Sequence, residues 1–348
     1  MSGFVQTVAG RIDPDALGKT MAHEHLLLDC SCYWEPEPDE ASQRDFIHKP
    51  VSPEIMHKLY YNAYQNRDNT VFLDVGLAIE EAGYLRRAGG DTIVDVTPVG
   101  IGRDPSALLE ISHATGLNIV MGCGYYVQKS HPPRVRDMTK NQIADEIIKE
   151  FHEGITYNRI KPGIIGEVGT SGINCAEGIK VLRGAAIAQK ETGLPVTIHP
   201  SFIDGGELLD ILEEEGGDAS RTVICHCDCT YDNPEYHDKL AKRGAYVEYD
   251  TFGYDGPMVG ISSTNIKWLP RDIELIDAVK RQIDMGNLGN ILLGQDIALR
   301  MLFVKYGGFG YGHIIRDLPV FMNNRGISND EIDALLIGNP KRLLTIDK

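Results

Sequence analysis

The sequence predicts one α/β domain over residues 1–348, a (β/α)8 TIM barrel preceded by a short N-terminal β segment that caps it. Eight short β-branched runs recur along the chain, and most are separated by longer segments with apolar residues three and four apart, the spacing of amphipathic helices. His25, Glu167, His199, His226 and Asp296 each fall at or near the C-terminal end of a run, where barrel active sites are assembled. An open doubly wound sheet is the competing architecture. Strands far from its switch point would not all converge on one site.

The chain opens with FVQTVAGRI and the turn DPDALG, read as a small strand or hairpin. The eight runs are MAHEHLLL from 21, TIVDVT from 92, NIVMGCGYY from 118, GIIGEVGT from 163, PVTIHP from 195, TVICHCD from 222, AYVEYDTF from 245 and NILLGQD from 290. Helical spacing fills AIEEAGYLRRAGG, PSALLEISHATG, NQIADEIIKEFHEG, AEGIKVLRGAAIAQKETG and GELLDILEEEGG, and several of these end in glycine, a common helix stop. Residues 29–75 are too long for a plain loop; they hold Trp34, several prolines and many acids. A helix is expected there in PEIMHKLYYNAYQN, as part of a wall over the site. Residues 253–273 form a second long insertion, and loops of this size on a catalytic face carry specificity.

Hydrophobic residues make up 42% of the chain and charged residues 24%, as in a globular protein whose core needs no staples. The net charge of −16 argues against nucleic acid or an anionic membrane, since both demand basic patches. A small-molecule substrate is the expected partner, and a homodimer is the assembly considered. No apolar run is long enough to span a bilayer, and the N-terminal stretch lacks the apolar segment of a signal peptide. The seven cysteines are an odd number, and Cys123, Cys225, Cys227 and Cys229 lie in or beside strand-like runs. That pattern points to reduced thiols in the cytoplasm.

The chemistry starts at His23 and His25. Residues two apart on a strand face the same side, so His-x-His aims two imidazoles at one point, as two metal ligands require. Glu167, His199, His226 and Asp296 add two carboxylates and two imidazoles from later runs. Such a set suits zinc first, with manganese, cobalt or iron as alternatives. Six ligands over-serve one ion and suit two that share a carboxylate. Glu167 is the natural bridge, because each of its oxygens can bind a different ion. Two ions polarise a substrate oxygen and acidify a bridging water, and Asp296 is placed to hold that hydroxide and pass its proton to the leaving group.

Singly, each of these residues also has a plain structural reading; the joint pattern is what favours a site. In CHCDC, strand alternation turns Cys225 and Cys227 outward if His226 faces in, which argues against a thiolate site. Asp228 then becomes a partner that orients His226. His48, His57, His131, His152 and His237 sit in polar or loop-like stretches and are expected to be exposed, while His113 falls in a helical pattern. KYGGFGYGH lacks the order of a nucleotide loop and reads as a substrate-covering loop or an ordinary turn.

Taken together, QTVAGRIDPDALGKTMAHEHL, KPGIIGEVGTS, VTIHP, CHCD, VEYDTFG, KYGGFGYGHI and IGNPKRLLT run over nearly the whole chain and resemble the phosphotriesterase-like branch of the amidohydrolase superfamily. The resemblance implies a binuclear metal centre. In it His23 and His25 match the strand-one pair, His199 and His226 the histidines of strands five and six, and Asp296 the strand-eight aspartate. Many relatives carry a carboxylated lysine at the bridging position. Here Glu167 stands there, and Lys161 belongs to the start of the strand. Members hydrolyse lactones, organophosphate triesters and an N-acetylated amine, N-acetyltaurine. Members acting on phosphorylated sugar lactones use an arginine in the helix after strand seven. Leu275 lies near that place, with Arg271 a turn earlier, which weakens that reading. Arg271, Tyr125 and Tyr126 are the candidate substrate-binding residues, and packing at the barrel rim is an equal reading for the tyrosines.

The expected function is a binuclear metal-dependent hydrolase whose bridging hydroxide attacks a lactone or carboxyl ester, with phosphotriesters as a side activity. The alternative substrate is an N-acyl amine of the N-acetyltaurine kind. A metal-containing binding protein on a barrel scaffold is the non-enzyme alternative. A mononuclear deaminase, which would give Glu24 a role, is disfavoured by the bridging Glu167.

Overall fold

The computed structural model describes residues 3–34, 37, 41–201, 203–256, 258–260 and 266–347. An antiparallel hairpin, β1 (Val5–Thr7) and β2 (Gly10–Ile12), precedes the barrel. The barrel strands are β3 (Thr20–Glu24), β4 (Thr92–Asp95), β5 (Asn118–Cys123), β6 (Ile164–Gly169), β7 (Val196–His199), β8 (Thr222–Ile224), β9 (Tyr246–Tyr249) and β10 (Ile291–Leu293). They form one sheet in sequence order, with every assigned pair parallel. The barrel nearly closes where His23 O accepts from Asp296 N at 3.0 Å, joining β3 to the turn after β10. All eight predicted runs are barrel strands, and the hairpin packs where predicted, with Val8 N donating to Ile119 O at the N-terminal end of β5.

The intervening helices include α1 (Val75–Arg87), α2 (Pro105–Thr115), α3 (Lys140–Glu153), α4 (Ala176–Thr192), α5 (Gly205–Glu214), α6 (Pro234–Lys242) and α7 (Asp272–Asp284). Asp74, Asp104, Thr139, Asp204 and Asn233 cap helix N-termini through their side chains, which satisfies first-turn N–H groups. Gly116 and Gly193 end α2 and α4 in the left-handed conformation. Among the described residues, no helix is long and apolar enough to cross a membrane. None of the seven cysteines is in a disulfide.

Three local expectations are corrected. The helix predicted over 53–66 shrinks to Met56–Leu59. Ile55, Leu59 and Ala63 are buried at helical spacing, but beyond Leu59 the chain runs on in turns that side-chain amides tie to their neighbours. Asn66 Nδ2 donates to Phe46 O and Lys49 O, and Asn69 Nδ2 donates to Ala63 O. The segment still walls the site. His131 and His237 are not exposed: His131 pairs with Glu177 and Tyr126 O, and His237 lies buried between Thr230 and Tyr249. The glycine-rich loop 305–313 does not cover the cavity. Tyr311, fully buried, donates its hydroxyl to His25 O, and Gly310 O accepts from Gln295, so the loop braces the strand ends from behind. Part of the insertion 253–273 (residues 257 and 261–265) lies outside the described residues. Its described part includes an antiparallel pair, Met258–Gly260 with Ile266–Trp268.

Candidate metal centre

His23 lies within β3 and His25 just past its end, and a register shift between Met21 and Glu24 re-aims the chain there. The Nδ1 of His23 pairs with Glu248 Oε2 at 2.9 Å and lies 3.5 Å from Asp250 Oδ2. The Nδ1 of His25 meets Thr97 Oγ1 at 2.9 Å. Both rings therefore present Nε2 inward. Burial alone would lower the His23 pKa, but Glu248, Asp250 and Glu167 outweigh it and push the imidazole up to about 10.

Glu167 sits on β6 at a second register shift, between Ile165 and Val168. Gly166 before it has φ 130°, and a Cβ there would stand 2.5 Å from Thr197 O, so only glycine lets β6 approach β7 this closely. Glu167 Oε1 lies 3.5 Å from His25 Nε2, while Oε2 lies 3.5 Å from His226 Nε2 and 3.7 Å from His23 Nε2. Oε1 thus faces His25, and Oε2 stands between His226 and His23. Burial raises this carboxyl, but the surrounding imidazoles of His226, His23 and His199 bring it down to about 2.

His199 ends β7 with its Nδ1 on Ser201 Oγ at 2.9 Å. Its ring centroid is 4.7 Å from that of His226. Burial, then the neighbouring His226, holds it down to about 4. His226 adopts φ 56° just after β8 ends at Ile224, and Asp250 takes both its backbone N–H at 2.8 Å and its Nδ1 at 2.9 Å. This left-handed residue breaks the strand pleat, which overturns two expectations. Cys225 turns inward rather than toward the helices: its Sγ lies 3.9 Å from Glu167 Oε2 and donates to Ile198 O at 3.0 Å. Burial pushes its thiol well above the usual range, so it stays protonated. Asp228 does not orient His226 directly. It accepts from Asp250 N and Thr251 N, and so fixes the residue that does.

Asp296 follows β10 at φ 41°. Its Oδ1 stands 3.1 Å from His25 Nε2 and 3.7 Å from His23 Nε2. Among the described residues three groups, His23–Glu167–His226, His23–His25–Asp296 and His23–Cys225–Glu248–Asp250, have candidate ligand atoms within 4.8 Å of one another; none includes His199. His23 Nε2 is buried without a hydrogen-bond partner among the described residues. A buried polar atom without a partner is costly, and an ion would satisfy it. With every Nδ1 engaged and the Nε2 atoms of His23, His25 and His226 facing carboxylate oxygens, the residues fit divalent ions.

The sequence pattern of the Phosphotriesterase family matches residues 3–344. The chain belongs to that family. An N-acetyltaurine hydrolase from Salmo salar is 38% identical over 351 residues, with 99% of each chain covered. A phosphotriesterase-related protein from Nematostella vectensis is also 38% identical, again over 99% of each. A crystal structure of a resiniferatoxin-binding protein from Rhodobacter sphaeroides superposes with a TM-score of 0.94 at 38% identity, covering 99% of this chain and 95% of that one. Among phosphotriesterase-family proteins, this chain is a hydrolase with the family barrel.

In this family member the imidazoles open onto a cavity of about 910 Å³. His25, Glu167, His199, His226 and Asp296 lie at its floor, and Tyr33, Tyr61, Tyr64, Tyr126, Tyr236 and Tyr254 supply much of its wall. Tyr126 stands edge-on to His199 at 5.0 Å and accepts a hydrogen bond from Tyr33. Tyr125 points the other way, toward α3, where it donates to Glu146. Arg271 is exposed at the N-cap of α7, its backbone N–H held by Glu274. Neither of these two is among the described residues lining the cavity.

Sequence reasoning missed Glu248 and Asp250. The signal was present: in VEYD they are two apart at the end of a strand, the same rule that singled out His23 and His25. Tyr33 and Thr97 carried no comparable signal, because their roles depend on how loops fold over the barrel.

Proposed function

We propose that this protein hydrolyses an N-acyl amine, with lactones and carboxyl esters next in order and phosphotriesters as a side activity. The observation that carries the hydrolytic reading is the convergence of His25, His199 and His226, with His23 buried behind them, on Glu167 and Asp296 at the floor of one cavity. The sequence alone put lactones first. The relative described as an N-acetyltaurine hydrolase, similar along 99% of both chains, favours the amide.

His23, His25, Glu167, His199, His226 and Asp296 would hold two divalent ions, zinc first and manganese, cobalt or iron as alternatives. Such ions, when bound, polarise a carbonyl oxygen and acidify water. The chain's own residues supply the rest. Asp296 is the more exposed of the two carboxylates, 13% of its side chain against 3% for Glu167, so it can accept a proton and deliver it to the departing amine. Tyr126 receives its hydrogen bond from Tyr33 and keeps its own O–H for a substrate oxygen. The tyrosine wall excludes water around the acyl group. Seven cysteines outside any disulfide suit a reducing cytoplasm.

One observation favours a second reading, ligand binding without turnover: the structural relative described as a resiniferatoxin-binding protein. The deciding experiment strips the protein with chelator, restores zinc, manganese or cobalt, and offers N-acyl taurines, N-acyl amino acids, lactones and aryl esters. Metal-dependent turnover, fastest on N-acyl amines, is the expected result. No metal-dependent hydrolysis of any of them would leave the binding reading.

A further inference from the structure

We propose that Lys129 forms an anion subsite that recognises a sulfonate or carboxylate on the amine side of the substrate. This rests on the reading of the protein as an N-acyl amine hydrolase and adds what the amine carries.

Lys129 is the only lysine or arginine among the described residues that line the cavity. It is exposed, and its ammonium has no carboxylate partner among the described residues. Asp204, which also lines the cavity, is engaged elsewhere: it caps α5, accepting from Gly206 N at 2.8 Å. In a chain of net charge −16, an unpaired cation at the mouth of a ligand cavity is where an anion is attracted.

The turn that presents Lys129 is fixed on both sides. Gln128 N donates to Ser171 Oγ at 2.7 Å, and Ser130 Oγ donates to Val127 O at 2.8 Å. Behind it, His131 ties Tyr126 O to Glu177. Lys129 follows Tyr126 by three residues, so its Cα lies within about 11 Å of the Tyr126 Cα. Tyr126 itself stands against His199 at the cavity floor. An acyl carbonyl held at the imidazoles therefore leaves a short tail to run toward the ammonium. The cavity, near the upper end for small-ligand sites, has room for it.

The test avoids turnover. Zinc-loaded protein is titrated calorimetrically with a methyl ketone in which a methylene replaces the amide N–H, ending either in a sulfonate or in a hydroxyl. Wild type is expected to bind the sulfonate about tenfold more tightly than the alcohol. Lys129→Met should erase that preference, Lys129→Arg should keep most of it, and added salt should shrink it. Equal affinity for the two ketones in wild type, or a preference that survives in Lys129→Met, would overturn the subsite. A protein that cleaves no amide yet shows the preference retains the subsite and loses only the hydrolytic reading.

Discussion

Glu24 holds the backbone on both sides of Asp296. Its Oε1 accepts from Gln295 N at 2.9 Å and its Oε2 from Ile297 N at 3.3 Å, while Asp296 between them sits at φ 41°. A left-handed aspartate is uncommon and persists where the surroundings over-determine it. Glu24 is fully buried, and burial pushes its carboxyl well above the usual range against the pull of those two N–H groups. Glu24→Gln keeps the volume but sets an amide N–H against one backbone N–H. The expected loss is about 1–3 kcal/mol of stability, read by urea unfolding. Turnover number should fall with little change in KM. An unaltered turnover number would mean that Asp296 holds its place without Glu24.

Asp296 itself is the proposed proton carrier. Asp296→Asn retains an oxygen ligand and the size of the side chain but cannot take up a proton at neutral pH. Metal content by elemental analysis should stay near the wild-type value. The turnover number should drop by about 10²–10⁴-fold, the usual range for a lost general acid–base group. Retained turnover would assign the proton to another group.

Asp250 reaches two of the imidazoles at once. Its Oδ1 meets His226 Nδ1, while its Oδ2 accepts the His226 backbone N–H and lies 3.5 Å from His23 Nδ1. Asp250→Asn should release His226 from its ring orientation and weaken metal retention by about 10–100-fold, as outer partners of metal-bound histidines do. Competition against a metal-buffering chelator measures it. Glu167→Ala makes the companion variant: with the shared carboxylate gone, occupancy should fall to one ion or none, and full two-ion content would remove Glu167 from the site.

These residues also mark how far the sequence could be read. Barrel strands were legible because each is a β-branched run bounded by turns, and the candidate site residues were legible because they fall at or near the ends of those runs. Pleat alternation worked while the backbone stayed extended. It failed at His226, where a left-handed residue turned Cys225 inward and handed the orienting role from Asp228 to Asp250. Long-range side-chain bonds were not legible at all. Nothing local in PEIMHKLYYNAYQN announces that Asn66 will donate to Phe46 O, twenty residues back. Nor does local sequence reveal that His237 will be walled in by Tyr249.

His237 gives a pH prediction independent of the metal centre. It is fully buried on α6, with Nδ1 on Tyr249 Oη at 2.8 Å and Nε2 on Thr230 Oγ1 at 2.9 Å. Burial, reinforced by Arg281 and opposed by Asp232, lowers its pKa from 6.5 to about 4. In the folded protein the neutral ring is therefore favoured, and between pH 6.5 and 4 the unfolded chain binds the extra proton. Stability from this residue is complete above pH 6.5 and is lost as the pH falls toward 4, by up to about 3 kcal/mol. Urea unfolding of wild type and His237→Gln across that window checks it. Wild type should lose stability on acidification more steeply than the variant, which has no proton to bind at this position. Parallel curves would place the acid sensitivity on other groups.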